Sequence, residues 1–385
     1  MLNDSSLATE EETTIRTKKL FVTGEFYIPW CGHNTSQMEK QSTLLLFCLF
    51  FSCRYSGLGV SEGTREQPQQ KIPVRIFVFG DSYADTGNWD RSGGSWHLPY
   101  GITFPGKPSG RFSDGRVLTD YFASFFGAIS PPPYNQRSYT MKSIPQYGMN
   151  FAYGGTGVFN TLVNKPNMTT QIEFFKDLVE RKVYSKEDLA KSIALVSVAG
   201  NDYAAYARGH QDQQGLQVFI SALIDQLSVN LKRIHGLGVA KIAVTGLPPL
   251  GCLPQLTSYV NYKNCSAHWN SLAESHNKKL EEMVEESKNE KGGPGHVLVL
   301  DLQMAFTSAL IRHGLETGSL ESVLKPCCLG AKEGYFCGSL DEKGERMYAV
   351  CDEPQKSFFW DDIHPSQNGW ASVSSLLRST LEQLN

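Results

Sequence analysis

Val74-Arg75-Ile76-Phe77-Val78-Phe79-Gly80-Asp81-Ser82 is an apolar run that stops abruptly at a Gly-Asp-Ser turn. An apolar run without alternation suits a strand buried on both faces, as in a parallel sheet covered by helices. Open sheets of that kind bind ligands at the carboxyl edge of their strands. Ser82 stands at that edge. Glycine, aspartate and serine are also ordinary turn residues. The stretch therefore takes its meaning from what the rest of the chain offers a serine hydroxyl.

A nucleophilic serine needs a base, and the base needs a third group to fix its tautomer and hold its positive charge. Near the other end stands Phe359-Trp360-Asp361-Asp362-Ile363-His364-Pro365. Asp361 and His364 are spaced so that one tight turn folds the carboxylate back onto the imidazole. Pro365 is placed to begin a helix, with His364 at its mouth. Read alone, the same segment is a surface turn before a C-terminal helix.

Acyl chemistry also needs donors for a developing oxyanion. Asn150-Phe151-Ala152-Tyr153-Gly154-Gly155-Thr156-Gly157 is glycine-rich, and glycine lets a backbone N–H approach a ligand closely. A second apolar strand, 193–199, runs into Gly200-Asn201-Asp202. Its Asn201 offers a side-chain amide. Outside this chemistry, Gly154 and Gly155 make a tight turn and Asn201 caps one. No Gly-Lys-Ser/Thr follows the glycines, so the stretch is no phosphate loop.

Five strands are expected, at 74–79, 149–153, 193–199, 240–246 and 297–301, with helices at 115–126, 169–181, 216–235, 267–288, 302–313 and 367–382. In the third helix Leu216, Ile220, Leu223, Leu227, Leu231 and Ile234 recur at steps of three and four, which marks a core stripe. The pattern is that of an α/β protein with a three-layer, flavodoxin-like α/β/α fold.

The four segments, in this order, resemble the blocks of the GDSL esterase/lipase family of SGNH hydrolases, in its large plant secreted branch. Phe79-Gly80-Asp81-Ser82, Asp85-Thr86-Gly87-Asn88, Asn150-Phe151-Ala152, Gly200-Asn201-Asp202, 245–252 and Phe359-Trp360-Asp361 carry the resemblance, which covers about residues 72 to 383. Tyr83 departs from it, standing where the family's name has leucine. That position bears on the shape of the substrate pocket. The resemblance implies a five-stranded, mainly parallel sheet in the order 2-1-3-4-5. It implies Ser82 as nucleophile, His364 as base and Asp361 as its orienting partner. The N–H groups of Ser82 and Gly155 and the amide of Asn201 would form the oxyanion hole. No metal or organic cofactor is implied. The expected activity is that of a carboxylic ester hydrolase acting through an acyl-enzyme on lipid, cutin-like or cell-wall acyl esters. Two alternatives stay open: acyl transfer to an alcohol, and a non-catalytic secreted protein that binds a partner on the same fold.

The chain has 385 residues, 41% hydrophobic and 19% charged, with a formal net charge of −3. That balance, with no basic cluster, does not suggest a nucleic-acid partner, and none is expected. Residues 1–37 are polar and have no signal character, and translation is expected to start effectively at Met38. Lys40 then precedes the apolar run 44–51, followed by small residues, so 38–61 reads as a secretory signal. The run is far shorter than the roughly 20 residues that span a bilayer. Residues 62–71 form a polar leader, and 72–385 a single hydrolase domain.

Of nine cysteines, Cys252, Cys265, Cys327, Cys328, Cys337 and Cys351 lie in that domain. An even set in a secreted chain implies three disulfides. Cys252 with Cys265 is the expected short loop, and the other four allow three pairings. Sequons at Asn167 and Asn264 permit glycosylation in that compartment. The expected location is extracellular, the partner an ester substrate. The sequence leaves the oligomeric state open.

Overall fold

A computed structural model describes residues 74–140, 144–198, 200–209, 213–288 and 292–385. The calls on residues 1–37, 38–61 and 62–71 lie outside the described residues.

Five strands, β1 (Ile76–Gly80), β2 (Gly148–Asn150), β3 (Ile193–Ser197), β4 (Lys241–Thr245) and β5 (His296–Leu300), form one sheet in the order β2-β1-β3-β4-β5. All four pairings are parallel. The expected α/β class, strand set and order are those observed. Every residue of β1 and β3 is buried, the condition under which an unbroken apolar run is a strand and no amphipathic element.

The seven longest helices are α1 (Leu118–Phe125), α2 (Met168–Glu180), α3 (Gly200–Gly209), α4 (Gln213–Gly236), α5 (Ala267–Ser287), α6 (Leu302–Thr317) and α7 (Gln367–Leu376). Helix α4 touches both α2 and α5, and α7 touches both α1 and α6. These two groups cover the sheet. The α4 stripe faces inward, with Ile220, Leu223, Leu227, Leu231 and Ile234 all fully buried. Burying such a side chain is worth about 2 kcal/mol. Helix α2 sends Phe175 under β1, where its ring lies 4.6 Å from Phe77 and 5.7 Å from both Phe79 and Phe151.

Three features differ from the sequence expectation. Helix α3 was not expected, because only Asp202 and Tyr203 of it are buried and it shows no clear apolar stripe. The C-terminal helix begins at Gln367, as its pattern predicts, but Pro365 is not its starter. Pro365 pairs with Phe359 in a β-bridge, and Ser366 caps α7 by accepting the N–H of Gly369 at 3.0 Å. A small antiparallel pair, β6 (Cys328–Gly330) with β7 (Tyr348–Val350), was also unforeseen. Two strands of three residues each, Cys-Leu-Gly and Tyr-Ala-Val, give little periodicity to read.

The structure contains the bonds Cys252–Cys265, Cys327–Cys351 and Cys328–Cys337. The last two tie β6 to its surroundings. The same segment then holds the chain before Asp361: Cys327 N–H donates to Phe359 O at 3.1 Å and Cys328 N–H to Trp360 O at 2.7 Å. Among the described residues no helix is long and apolar enough to cross a membrane.

Candidate active site

Strand β1 delivers its turn against β3. Gly80 pairs with Ser197, and Asp81 N–H donates to Ser197 O at 3.0 Å. Gly80 has φ +146°, and a Cβ there would lie 1.9 Å from that carbonyl oxygen. Only glycine brings the turn so close. Gln171 of α2 fixes the same peptide from below. Its Oε1 accepts Gly80 N–H at 2.8 Å and its Nε2 donates to Gly80 O at 2.9 Å. Ser82 is thereby presented above the sheet edge, 7% exposed.

The segment before α7 brings the imidazole to it. His364 Nε2 lies 2.7 Å from Ser82 Oγ. On the other side of the ring, Nδ1 lies 2.8 Å from Asp361 Oδ1 and 2.9 Å from Oδ2. Asp361 Oδ1 also accepts the N–H groups of Ile363 and His364, at 2.9 and 2.8 Å. The carboxylate thus holds the turn and the ring together. Burial pushes Asp361 upward, but the charge and hydrogen bond of His364, the Ile363 N–H and the Tyr100 hydroxyl outweigh it and hold the carboxyl below its ordinary value. It is an anion when the imidazole needs one.

The loop after β2 closes over the turn. Asp85 Oδ1 accepts N–H from Gly87 and Asn88, and Oδ2 accepts from Trp89 and Gly154, all between 2.7 and 3.1 Å. Asn88 Nδ2 donates to Asn150 O and Ala152 O, each at 2.8 Å. Asp81 is also buried, and its Oδ1 accepts Tyr83 N–H at 3.0 Å. Burial above all, with the charges of Asp202 and Asp85 behind it, pushes its carboxyl up to about 7.

Asn201, in the first turn of α3, donates from Nδ2 to Thr156 O at 3.0 Å. An amide nitrogen carries two N–H groups, so one remains for the cavity that Asn201 lines. Gly155 is held from both sides, by Gly154 N–H on Asp85 and by Thr156 O under Asn201, and adopts φ +70°. The N–H groups of Ser82 and Gly155 donate to none of the described residues.

A cavity of about 90 Å³ opens beside Ser82. Its walls are mostly apolar: Val198, Ala204, Leu247, Pro248, Leu250, Leu253, Leu302 and Ile363 join Tyr83 and Asn201. Asn277 of α5 keeps the proline-rich wall in place by accepting Leu247 N–H at 2.6 Å and donating to Leu247 O at 2.9 Å. Trp89 and Trp96 do not line this cavity. They pack their own loop, with Trp96 Nε1 donating to Trp89 O at 2.8 Å. Phe112 lies between them and the site, its ring centroid 5.1 Å from that of His364.

Tyr83 does more than shape the pocket. Its hydroxyl donates to Ile363 O at 3.0 Å, inside the Asp361–His364 turn, and its ring stands edge-on to His364. Tyr100 was not foreseen as a partner of Asp361, to whose Oδ2 it donates at 2.7 Å. No spacing could have found it, since it lies 261 residues from its partner. Of the two sequon asparagines, Asn264 is exposed. Asn167 is half-buried, accepting Thr170 N–H as the cap of α2 and donating to Asn160 Oδ1 at 2.9 Å.

A serine oxygen facing an imidazole that is backed by a buried carboxylate, with unengaged N–H groups nearby, can attack a carbonyl and stabilise the resulting oxyanion. The model of the family described as GDSL-like Lipase/Acylhydrolase matches residues 76–377. The chain is 48% identical over 347 residues to the GDSL esterase/lipase At5g03610 of Arabidopsis thaliana, covering 88% of this chain and 96% of that protein. It is 46% identical over 353 residues to the GDSL esterase/lipase At3g09930 of the same plant, covering 90% and 99%.

Proposed function

The chain belongs to the GDSL-like lipase/acylhydrolase family and is a carboxylic ester hydrolase, and on that premise we propose that it works through an acyl-enzyme on Ser82. The observation that carries this reading is the 2.7 Å approach of His364 Nε2 to Ser82 Oγ, with Nδ1 held on buried Asp361. Nε2 takes the hydroxyl proton as Oγ attacks the ester carbonyl. The carbonyl oxygen becomes an oxyanion facing the N–H groups of Ser82 and Gly155 and the free N–H of Asn201. Collapse of that intermediate expels the alcohol, which receives the proton from Nε2. Water, deprotonated by the same nitrogen, then attacks the acyl carbonyl and releases the acid. Asp361 keeps the proton on Nδ1 and balances the imidazolium.

The apolar cavity takes the acyl part of the substrate. Lipid, cutin-like and cell-wall acyl esters all present an apolar or small acyl group of this kind. The enzyme acts outside the cell, after removal of a signal at 38–61, as a single domain over 72–385. The three disulfides support an oxidising compartment, and exposed Asn264 is the better placed of the two glycan acceptors.

Acid-quenched turnover of p-nitrophenyl acetate should leave an acetyl group on the peptide that contains Ser82. Turnover with the acyl group on another residue would overturn the assignment. The Asn201→Ala variant should lose roughly 10²-fold in kcat with little change in KM, because its donor is engaged mainly in the transition state. An unchanged kcat would remove Asn201 from the oxyanion hole.

A further inference from the structure

Every oxygen of Asp361 is accounted for. Oδ1 accepts two backbone N–H groups of its own turn. Oδ2 accepts from none of those backbone groups; among the described residues its partners are the imidazole and the hydroxyl of Tyr100 at 2.7 Å. A phenol donating to a carboxylate is a charge-assisted hydrogen bond, about twice as strong as a neutral one. Tyr100 is 7% exposed and belongs to a small separate core with Cys327, Cys328, Cys337, Tyr348 and Trp360. Its ring stands edge-on to Trp360, the residue before Asp361, at 6.3 Å between centroids. The donor is therefore anchored by the cystine-bridged segment and not by the sheet that presents Ser82.

Resting on the triad reading above, we propose that Tyr100 is a positioning residue that sets how strongly Asp361 supports the imidazole of His364. It acts in two ways. Donors on both oxygens keep the carboxyl group from rotating away from Nδ1. The hydroxyl proton also offsets part of the carboxylate's charge and so weakens its pull on the proton at Nδ1. Burial, with the charge of Asp361, pushes the Tyr100 hydroxyl well above its ordinary value, so it stays protonated and remains a donor throughout the working range. The other titratable groups around the pair are Asp81 and Tyr83 from the nucleophile turn and Asp362 within the histidine turn. All three are left in place by a change at Tyr100.

The test is the pH profile of kcat/KM for two variants that move the donor strength in opposite directions. Tyr100→Phe removes the hydroxyl and keeps the ring. The imidazolium is then better stabilised, and the acid limb should move up by about half a pH unit. Freed rotation of Asp361 should lower kcat roughly tenfold, with KM changed less than about twofold. Placing 3,5-difluorotyrosine at position 100 keeps the hydroxyl and makes it a stronger donor, so the acid limb should move down. If Tyr100→Phe does not fold, the direction given by the fluorinated residue decides alone. Acid limbs that coincide with that of the unaltered enzyme, or a rise in KM at constant kcat, would overturn the proposal. The unaltered enzyme is treated in parallel with a fluorophosphonate. Failure to label Ser82 there would overturn the triad, and this proposal with it. Labelled Ser82 with unmoved limbs would overturn Tyr100 alone.

Discussion

The Ser82→Ala variant is expected to lose ester turnover and fluorophosphonate labelling while keeping its fold. Among the described residues the hydroxyl's one partner is His364 Nε2 at 2.7 Å, so deletion leaves only that nitrogen without its partner. The turn is held by backbone and by Asp81, Asp85 and Gln171, none of which bonds to the Ser82 side chain. Under the proposed triad no acyl-enzyme can form without Oγ, and kcat should fall on the order of 10⁵-fold or more. Thermal unfolding by circular dichroism should shift by only a few degrees. Fluorophosphonate labelling that persists in the purified variant would show that the nucleophile lies elsewhere.

Asp361→Asn has the second largest expected effect, and the reason is a tautomer. The carboxylate accepts from two backbone N–H groups, from Tyr100 and from His364 Nδ1. An amide keeps one accepting oxygen. The two backbone donors bind that oxygen at the Oδ1 position, which leaves the NH₂ group near Oδ2. It then presents an N–H toward Nδ1, and the ring responds by carrying its proton on Nε2. That nitrogen can no longer accept the proton of Ser82. The loss should be roughly 10⁴-fold in kcat with a modest change in KM. A loss below tenfold in a folded protein would mean that His364 does not depend on Asp361.

Much of the fold was legible because it is written locally. The run 74–79 is apolar without alternation, and α4 repeats its stripe at steps of three and four through five fully buried side chains. The family resemblance then supplied the strand order, which no local pattern contains. Of the candidate site, Ser82, Asp361 and His364 could be singled out because their partners lie on turns with recognisable residues. What could not be read were contacts between distant loops. Tyr100 reaches Asp361 from 261 residues away, and Gln171 reaches Gly80 from 91. Neither residue type at either position announces such a role. The pairing of Cys327 and Cys328 was open for the same reason, since adjacent cysteines look alike until the strands that face them are placed. Pro365 misled because a proline before a helical pattern is a common starter, whereas here it is one residue ahead of the cap.

The hydrogen bond between Ser82 and His364 spans 282 residues of sequence. That distance governs when a reactive oxygen can exist at all. A nascent chain presents the strand bearing Ser82 early, yet until position 364 has been made and docked that serine is an ordinary alcohol. Contacts of such long range close late in folding. Under the proposed triad, no partially synthesised or truncated product lacking the histidine segment can attack an ester. Under the proposed secretion and lipid substrate, the hazard of making such a catalyst beside the exporting membrane is limited by the order of the chain itself. Acylation competence then marks a completed molecule.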